Sequence, residues 1–145
     1  MVDDVSRLSP VRARELFGTA RVARLATLDA DGRPQLVPIV FQLAGDTVYS
    51  AVDHKPKRTT ALRRLANVLA DPAVGLLADH YSDADWTALW WARAEGDGRV
   101  LDPDQDEARA AVALLVAKYP QHRREPPSGP VLAIDVHRWS GWTAR

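Results

Sequence analysis

The sequence predicts a mainly β protein, an antiparallel barrel carrying peripheral helices. Strand-length apolar runs follow one another through short turn-rich links, the first pair across Asp29-Ala30-Asp31-Gly32 and the next across Ala44-Gly45-Asp46. Helical patterns stand between only some of these runs, which argues against a doubly wound parallel sheet. At 145 residues, with no internal repeat, the chain fits a single domain over residues 1–145.

The elements follow in order. Ser9-Pro10 reads as an N-cap with proline at the first helical position, opening a short helix that carries Val11, Leu16 and Phe17 up to Gly18. Ala20 to Leu28 is dense enough in apolar residues for a strand, and its hairpin partner returns from Gln35 to Leu43. Pro38 lies inside that return strand, where it cannot donate to a ladder, so it marks an edge, a bulge or the approach of something other than a strand. Thr47 to Val52 forms a third strand, and Thr59 to Ala70 a helix with Leu62, Leu65, Ala66 and Leu69 on one face. Asp71-Pro72 ends that helix, Ala73 to Asp79 is a fourth strand, and Trp86 to Ala94 a fifth that extends through Gly96-Asp97-Gly98 to Leu101. Asp102-Pro103 opens a helix to about Lys118, Tyr119 to Pro130 reads as a proline-rich basic loop, and Val131 to Arg138 as the last strand.

Composition removes several classes of function. Lys plus Arg equals Asp plus Glu at 19 each, so no global positive field draws nucleic acid or a membrane, and any affinity for anions must be local. With no cysteine there is no disulfide scaffold and no thiol nucleophile, and redox work falls to a bound cofactor. The N-terminus is acidic rather than signal-like and no apolar run spans a bilayer, so a cytoplasmic setting is expected. His54, His80, His122 and His137 show no paired ligand spacing, and no metal site is expected.

One stretch does suggest a ligand. The strand ending Tyr49-Ser50-Ala51-Val52 runs into Lys55, Lys57 and Arg58, and Thr59 or Thr60 is placed to cap the helix that follows. Unpaired first-turn N–H groups and added cations at a helix N-terminus suit a phosphate; a solvated basic loop reads the same way. A second stretch suggests a partner. If Trp86 to Ala92 is a strand, Trp86, Ala88 and Trp90 share one face while Thr87, Leu89 and Trp91 share the other. A small barrel fills itself with one such face, leaving the second for another subunit of a homodimer or for a helix of the same chain.

Taken together, the run from Arg24 to Ile39 (RLATLDADGRPQLVPI), Tyr49-Ser50-Ala51-Val52, Lys55-Pro56-Lys57-Arg58 and Arg138-Trp139-Ser140-Gly141-Trp142 resemble the pyridoxamine 5′-phosphate oxidase-like split-barrel family. Within it, the chain resembles the branch dependent on the deazaflavin coenzyme F-420. The resemblance implies a six-stranded antiparallel split β-barrel of the FMN-binding type, a homodimer, and two equivalent cofactor sites between subunits. It places Val37 and Pro38 along the cofactor ring, Ser50 and Ala51 at the strand end that meets the cofactor, and Lys55, Lys57 and Arg58 at its phosphate; Thr59, a candidate cap of the next helix, joins them as a cofactor-binding candidate. Trp90, Trp91 and His80 become candidates for cover supplied by the partner subunit. Arg138-Trp139-Ser140-Gly141-Trp142 does not reproduce the arginine and histidine pattern that holds pyridoxal phosphate in the oxidases proper, which speaks against the vitamin B6 reaction.

The chemistry implied is hydride transfer between the reduced coenzyme and a conjugated small molecule, the protein binding and orienting. It accords with a chain that has no G-x-S-x-G elbow, H-E-x-x-H helix, P-loop or G-x-G-x-x-G turn. His80 and Tyr81 follow a strand end and are the candidates for donating a proton, beside water. An FMN-binding oxidoreductase on the same barrel and a non-catalytic flavin or deazaflavin carrier remain the alternatives.

Overall fold

The computed structural model describes residues 6–51 and 58–144. Helix α1 (Pro10–Thr19) starts as its sequence directs: the Ser9 hydroxyl accepts the Arg12 amide at 3.1 Å, and Pro10 occupies the first turn. The helix passes through Gly18 before it ends. Strands β1 (Ala23–Leu28) and β2 (Pro34–Ile39) form the expected hairpin, Ala23 opposite Ile39 and Leu28 opposite Pro34. Asp29 Oδ1 accepts the amides of Asp31 and Arg33, each at 2.9 Å, and Gly32 takes φ 75°, a value only glycine adopts without cost.

The return strand does not run unbroken to Leu43. It ends at Ile39 and resumes as β3 (Gln42–Ala44), and both pieces are edges of one sheet ordered β2-β1-β5-β6-β7-β4-β3. Only Val40 and Phe41 join them, a link that reaches at most about 11 Å. The two edges therefore lie close together, and the seven-stranded sheet must curl into a barrel with an unpaired seam between β2 and β3. One strand more than the expected six results from that break, and Pro38 sits on an edge strand, where its missing donor is tolerated.

β4 (Thr47–Ala51) pairs with β3 on one side and with the start of β7 (Val131–Thr143) on the other. Helix α2 (Arg58–Ala70) begins one residue before Thr59, so Thr59 and Thr60 lie within its first turn and do not cap it. Its buried Leu65 and Val68 join the barrel core, and Asn67 Nδ2 donates to Thr27 Oγ1 at 3.0 Å.

β5 (Ala73–His80) pairs along its whole length with the first part of β6 (Trp90–Leu101), from Trp90 to Asp97. The tryptophan stretch is not all strand: Trp86–Ala88 is a 3₁₀ turn, fixed where Asp85 Oδ1 accepts the Thr87 amide at 3.0 Å. Trp86 is therefore outside the sheet alternation and exposed, while Trp90 packs toward the core. Helix α3 (Asp106–Lys118) starts later than Asp102-Pro103 predicts, after a turn, and a short α4 (Pro120–Arg124) replaces the first part of the expected loop.

The last strand reaches Thr143, well past the expected Arg138. It needs a bulge to do so. Glu95 pairs with Arg138 but Gly96 with Val136, leaving His137 as the extra residue. A Cβ on Gly96 would lie 2.2 Å from the Asp135 carbonyl oxygen, so only glycine fits the crossing strand there.

The core is built mainly on the inner face of the curled sheet. Phe17 stands 4.8 Å from Phe41 and 5.3 Å from Trp139, ring centre to ring centre, so α1 plugs one end of the barrel. A second apolar layer of Tyr49, Leu101, Ala108, Ala111, Val131 and Ala133 lies between α3 and the outer face of β4 and β7. Among the described residues, no helix is long and apolar enough to cross a membrane.

Candidate functional site

The seam between β2 and β3 is where the predicted ring-binding residues meet. Val37 is half-buried against the core and Pro38 is exposed, both on the edge strand β2. Across the seam, the Ser50 hydroxyl on β4 donates to the Val40 carbonyl at 2.9 Å. That bond ties the strand carrying Ser50 and Ala51 to the link that follows Val37 and Pro38, so these four residues share one neighbourhood. Ser50 is only 2% exposed and has committed its one proton, so it fixes the seam rather than offering a free donor. Ala51, paired with Val131, is half-buried at the strand end.

The segment from Val52 to Lys57 follows Ala51 and precedes α2. Lys55 and Lys57 lie outside the described residues, as do the side chains of Arg58 and Thr59. Their two anchors are described: the chain leaves the seam at Ala51 and re-enters regular structure at Arg58, the first residue of α2.

A cluster that the sequence did not single out holds the seam from the other side. Tyr119, at the end of α3, accepts the Phe41 amide at 3.1 Å, and its one proton faces the carbonyls of Phe41 and Arg21, both at 2.9 Å. Lys118 Nζ donates to the Ala20 carbonyl at 2.8 Å and stands 4.0 Å from the centre of the Phe41 ring. Burial, reinforced by the nearby Arg21 charge, lowers the Lys118 ammonium to about 8. Burial likewise raises the Tyr119 phenol, against the opposing pull of the Phe41 amide. Lys118-Tyr119 ends a helix with ordinary helix-end residues, so only the packing of α3 against the seam reveals this role.

A polar network anchors α3 itself. Arg99 donates both terminal nitrogens to the Glu107 carboxylate at 2.9 Å and its Nε to Asp135 at 2.6 Å, while Tyr49 donates to Glu107 at 2.7 Å. The Arg99 bonds, then the Tyr49 bond, hold Glu107 down at about 2; burial first, and then Glu107, push Tyr49 up to about 12.

The remaining predicted residues stand elsewhere in the chain. His80 pairs with Trp90 across β5 and β6, and both line a cavity of about 450 Å³ with Leu8, Arg12 and Thr143. Tyr81 is exposed and donates to Asp83 at 2.5 Å. Trp91 faces the opposite side of β6, where the Arg93 guanidinium lies 5.2 Å from its ring centre. Trp90 is aligned with Thr143 and Ala51 with Val131, at opposite ends of the 13-residue β7 and about 40 Å apart along the strand. Trp90, with His80 paired to it and Trp91 and Tyr81 next to them in the chain, thus stands at the other end of β7 from Ala51.

Comparison with known proteins agrees with this architecture. No curated protein matches the sequence. Among solved structures, the conserved hypothetical protein Rv2991 of Mycobacterium tuberculosis superposes with a TM-score of 0.74 at 18% identity, covering 95% of this chain and 86% of that one. An FAD-binding protein of Mesorhizobium loti matches with a TM-score of 0.66 at 20% identity, over 93% of this chain and 94% of that one. The heme storage protein HutZ of Vibrio cholerae gives 0.68 at 14% identity, with 90% of each chain covered. At such identities these likenesses speak for the fold alone. The family model described as pyridoxamine 5′-phosphate oxidase matches residues 10–143, from the first turn of α1 to the end of β7, and the chain belongs to that family.

Proposed function

We propose that the protein is an oxidoreductase that uses coenzyme F-420, transferring hydride between the reduced deazaflavin and a conjugated small molecule in the cytoplasm. The observation that carries this reading is the seam. A strand end at Ala51, tied through Ser50 to Val40, stands beside an exposed Pro38 and a half-buried Val37, and the chain passes from there through a cation-rich segment into α2. An apolar ledge followed by cations and a helix start suits a flat ring system that ends in a phosphate.

The residues present fit such a group. Val37, Pro38 and Ala51 offer apolar contact, and Lys55, Lys57, Arg58 and Thr59 supply the charge and hydroxyl a phosphate needs. The deazaflavin would supply hydride chemistry, which accounts for a chain without a nucleophile or metal motif of its own. The chain's own part is to hold the ledge. Ser50, Tyr119 and Lys118 fix Val40 and Phe41, and so set the position of Val37 and Pro38.

The functional unit we infer is a homodimer. No described helix covers the outer face of β2, β1 and β5, where Leu36 is 71% and Leu77 is 40% exposed. A second copy applied by a two-fold axis would bury that face against itself. Trp90, Trp91 and His80 would then reach a cofactor only across the interface, and His80 or Tyr81 is the candidate proton donor there.

FMN in place of F-420 is the second reading, favoured by the FAD-binding protein of Mesorhizobium loti among the structural neighbours. A carrier without turnover is the third. Equilibrium binding of oxidised F-420 and of FMN, each followed by tryptophan fluorescence, tests the proposal. Tighter binding of F-420, weakened tenfold or more by Lys57→Ala, is expected. Preference for FMN would move the protein to the flavin reading, and binding of neither would make the Lys55 to Arg58 segment a solvated basic loop.

A further inference from the structure

Gly75 has no steric reason within its own chain to be glycine. It lies inside β5, paired with Ala26 on one side and Glu95 on the other without a bulge. A Cβ built on it meets nothing within 4 Å, and its φ is not positive. The glycines of β6 differ: a Cβ on Gly96 would strike the Asp135 carbonyl, and one on Gly98 would lie 2.7 Å from Val68. A glycine inside a strand gives up packing and backbone entropy, and where no bulge or bend explains it, it marks the close approach of something from outside.

The space over Gly75 is a cavity of about 370 Å³ on the outer face of the sheet, floored by Ala26, Leu28, Ala73 and Gly75 and walled by Pro34 and Glu95. Strand pairing sets a projection beside it. Ala26 stands between Leu36 on β2 and Gly75 on β5, so one row across the sheet carries a leucine that is 71% exposed and then two of the smallest residues. Leu36 and Gly75 are two strands apart, about 10 Å.

A projection and a hollow on one face are self-complementary. A two-fold axis through Ala26, perpendicular to the sheet, lays each Leu36 over Gly75 of the partner subunit. The same rotation lays the exposed Leu77 over Pro34 of the partner subunit, so the apolar contact continues beyond the hollow. It also turns the row of Arg24 toward the row of Ala73 and Asp97. Arg24 and Asp97 have no ion pair among the described residues, so an unspent cation approaches an unspent carboxylate.

We propose that the hollow at Gly75 receives Leu36 of the partner subunit, and that two such contacts about one axis set the geometry of the homodimer. The proposal rests on the homodimer inferred above and adds the contact that fixes it. It also gives the partner a part in the candidate site. Leu36 adjoins Val37 and Pro38 on β2, an edge strand paired only with β1, and docking Leu36 holds that ledge from its outer face.

Sedimentation of the whole protein and of variants at Leu36 and Gly75 tests it. Gly75→Leu enters open space in the single subunit, so circular dichroism should be unchanged while the dimer dissociation constant rises about tenfold or more. Leu36→Ala alone should also weaken the dimer. Adding Leu36→Ala to Gly75→Leu exchanges projection and hollow, and should recover most of the association that Gly75→Leu loses. Should circular dichroism show Gly75→Leu unfolded, Gly75→Ala carries the same test with a smaller loss. A folded Gly75→Leu that dimerises like the parent, or a double variant no better than Gly75→Leu, would overturn the docking contact and leave the homodimer to another surface. A parent chain that stays monomeric would overturn homodimer and contact together. Neither readout involves the cofactor, so preference for F-420 or FMN does not alter the result.

Discussion

The two halves of the sheet are treated differently by the rest of the chain. In the covered half, β4 and the start of β7 carry the barrel core on one face and α3 on the other, and Val131, Leu132, Ala133 and Ile134 are all fully buried. In the open half, β5 alternates: Val74, Leu76 and Ala78 are buried while Ala73, Leu77 and Asp79 are exposed. The same hydrogen-bonded sheet thus supports an unbroken apolar run where both faces are covered and a period-two pattern where one is bare. The comparison teaches where a partner can add itself: the covered half has no free face, and the open half keeps its outer one.

The largest expected effect tests the covered half. Leu132→Ala removes a fully buried side chain between packed layers and should cost about 2–5 kcal/mol in equilibrium urea unfolding. A cost below about 1 kcal/mol would mean that the barrel interior can close over the space and that its packing there is loose.

Next is the clamp on the seam. Tyr119→Phe leaves the Phe41 amide without its acceptor in a buried position, at a cost of about 1–3 kcal/mol. Amide hydrogen exchange at Phe41 should quicken in parallel. Unchanged exchange would show that the seam holds its shape without Tyr119.

A smaller effect concerns the network that fastens α3. Glu107 is held from 4.5 down to about 2, chiefly by its bonds from Arg99. A carboxylate depressed in the folded state contributes stability that is full above its unfolded value and is lost as pH falls through the folded one. With 37% of the Glu107 side chain exposed, solvent screening limits that contribution to about 1 kcal/mol. Glu107→Gln should therefore be less stable than the parent at pH 7, and the difference should close between pH 4.5 and pH 2. A deficit that persists unchanged at pH 2 would assign the loss to packing rather than to charge.

The smallest expected change in fold stability comes from the open half. Leu36→Ser alters a residue that is 71% exposed and should shift the unfolding free energy of the isolated subunit by less than about 0.5 kcal/mol. Sedimentation should nonetheless show weaker self-association. An unaltered association state would remove the outer face of β2 from the proposed interface.

Particular residues show how far the sequence could be read. Ser9-Pro10 announced α1 and Asp29 to Gly32 announced the first hairpin, because capping and turn chemistry act within a few residues. For the same kind of reason, the absence of one donor, Pro38 marks an edge, a bulge or the approach of something other than a strand, and the structure makes it an edge. The tryptophan stretch failed where two local patterns competed: Trp86 to Ala92 alternates like a strand, but Asp85 captures the Thr87 amide and turns the first part into 3₁₀ structure. The last strand was cut short at Arg138 because the bulge at His137 interrupts its alternation. Of the residues gathered at the seam, the sequence singled out Val37, Pro38, Ser50 and Ala51 but not Tyr119 and Lys118. Their partners, Phe41, Arg21 and Ala20, are 78 to 98 residues away in the chain.

By itself the sequence determined where most of the strands and helices lie, the turns at Asp29 to Gly32 and Ala44 to Asp46, and that the chain carries no cysteine and no net charge. Those properties depend on local stereochemistry and on composition, and neither needs a distant partner. The tertiary structure alone decided that β2 and β3 become facing edges of one curled sheet, that Tyr119 and Lys118 close the seam, and that Leu36 and Gly75 share one row of its outer face. Each of these depends on the register of strands remote in sequence, which is set by how the whole core packs.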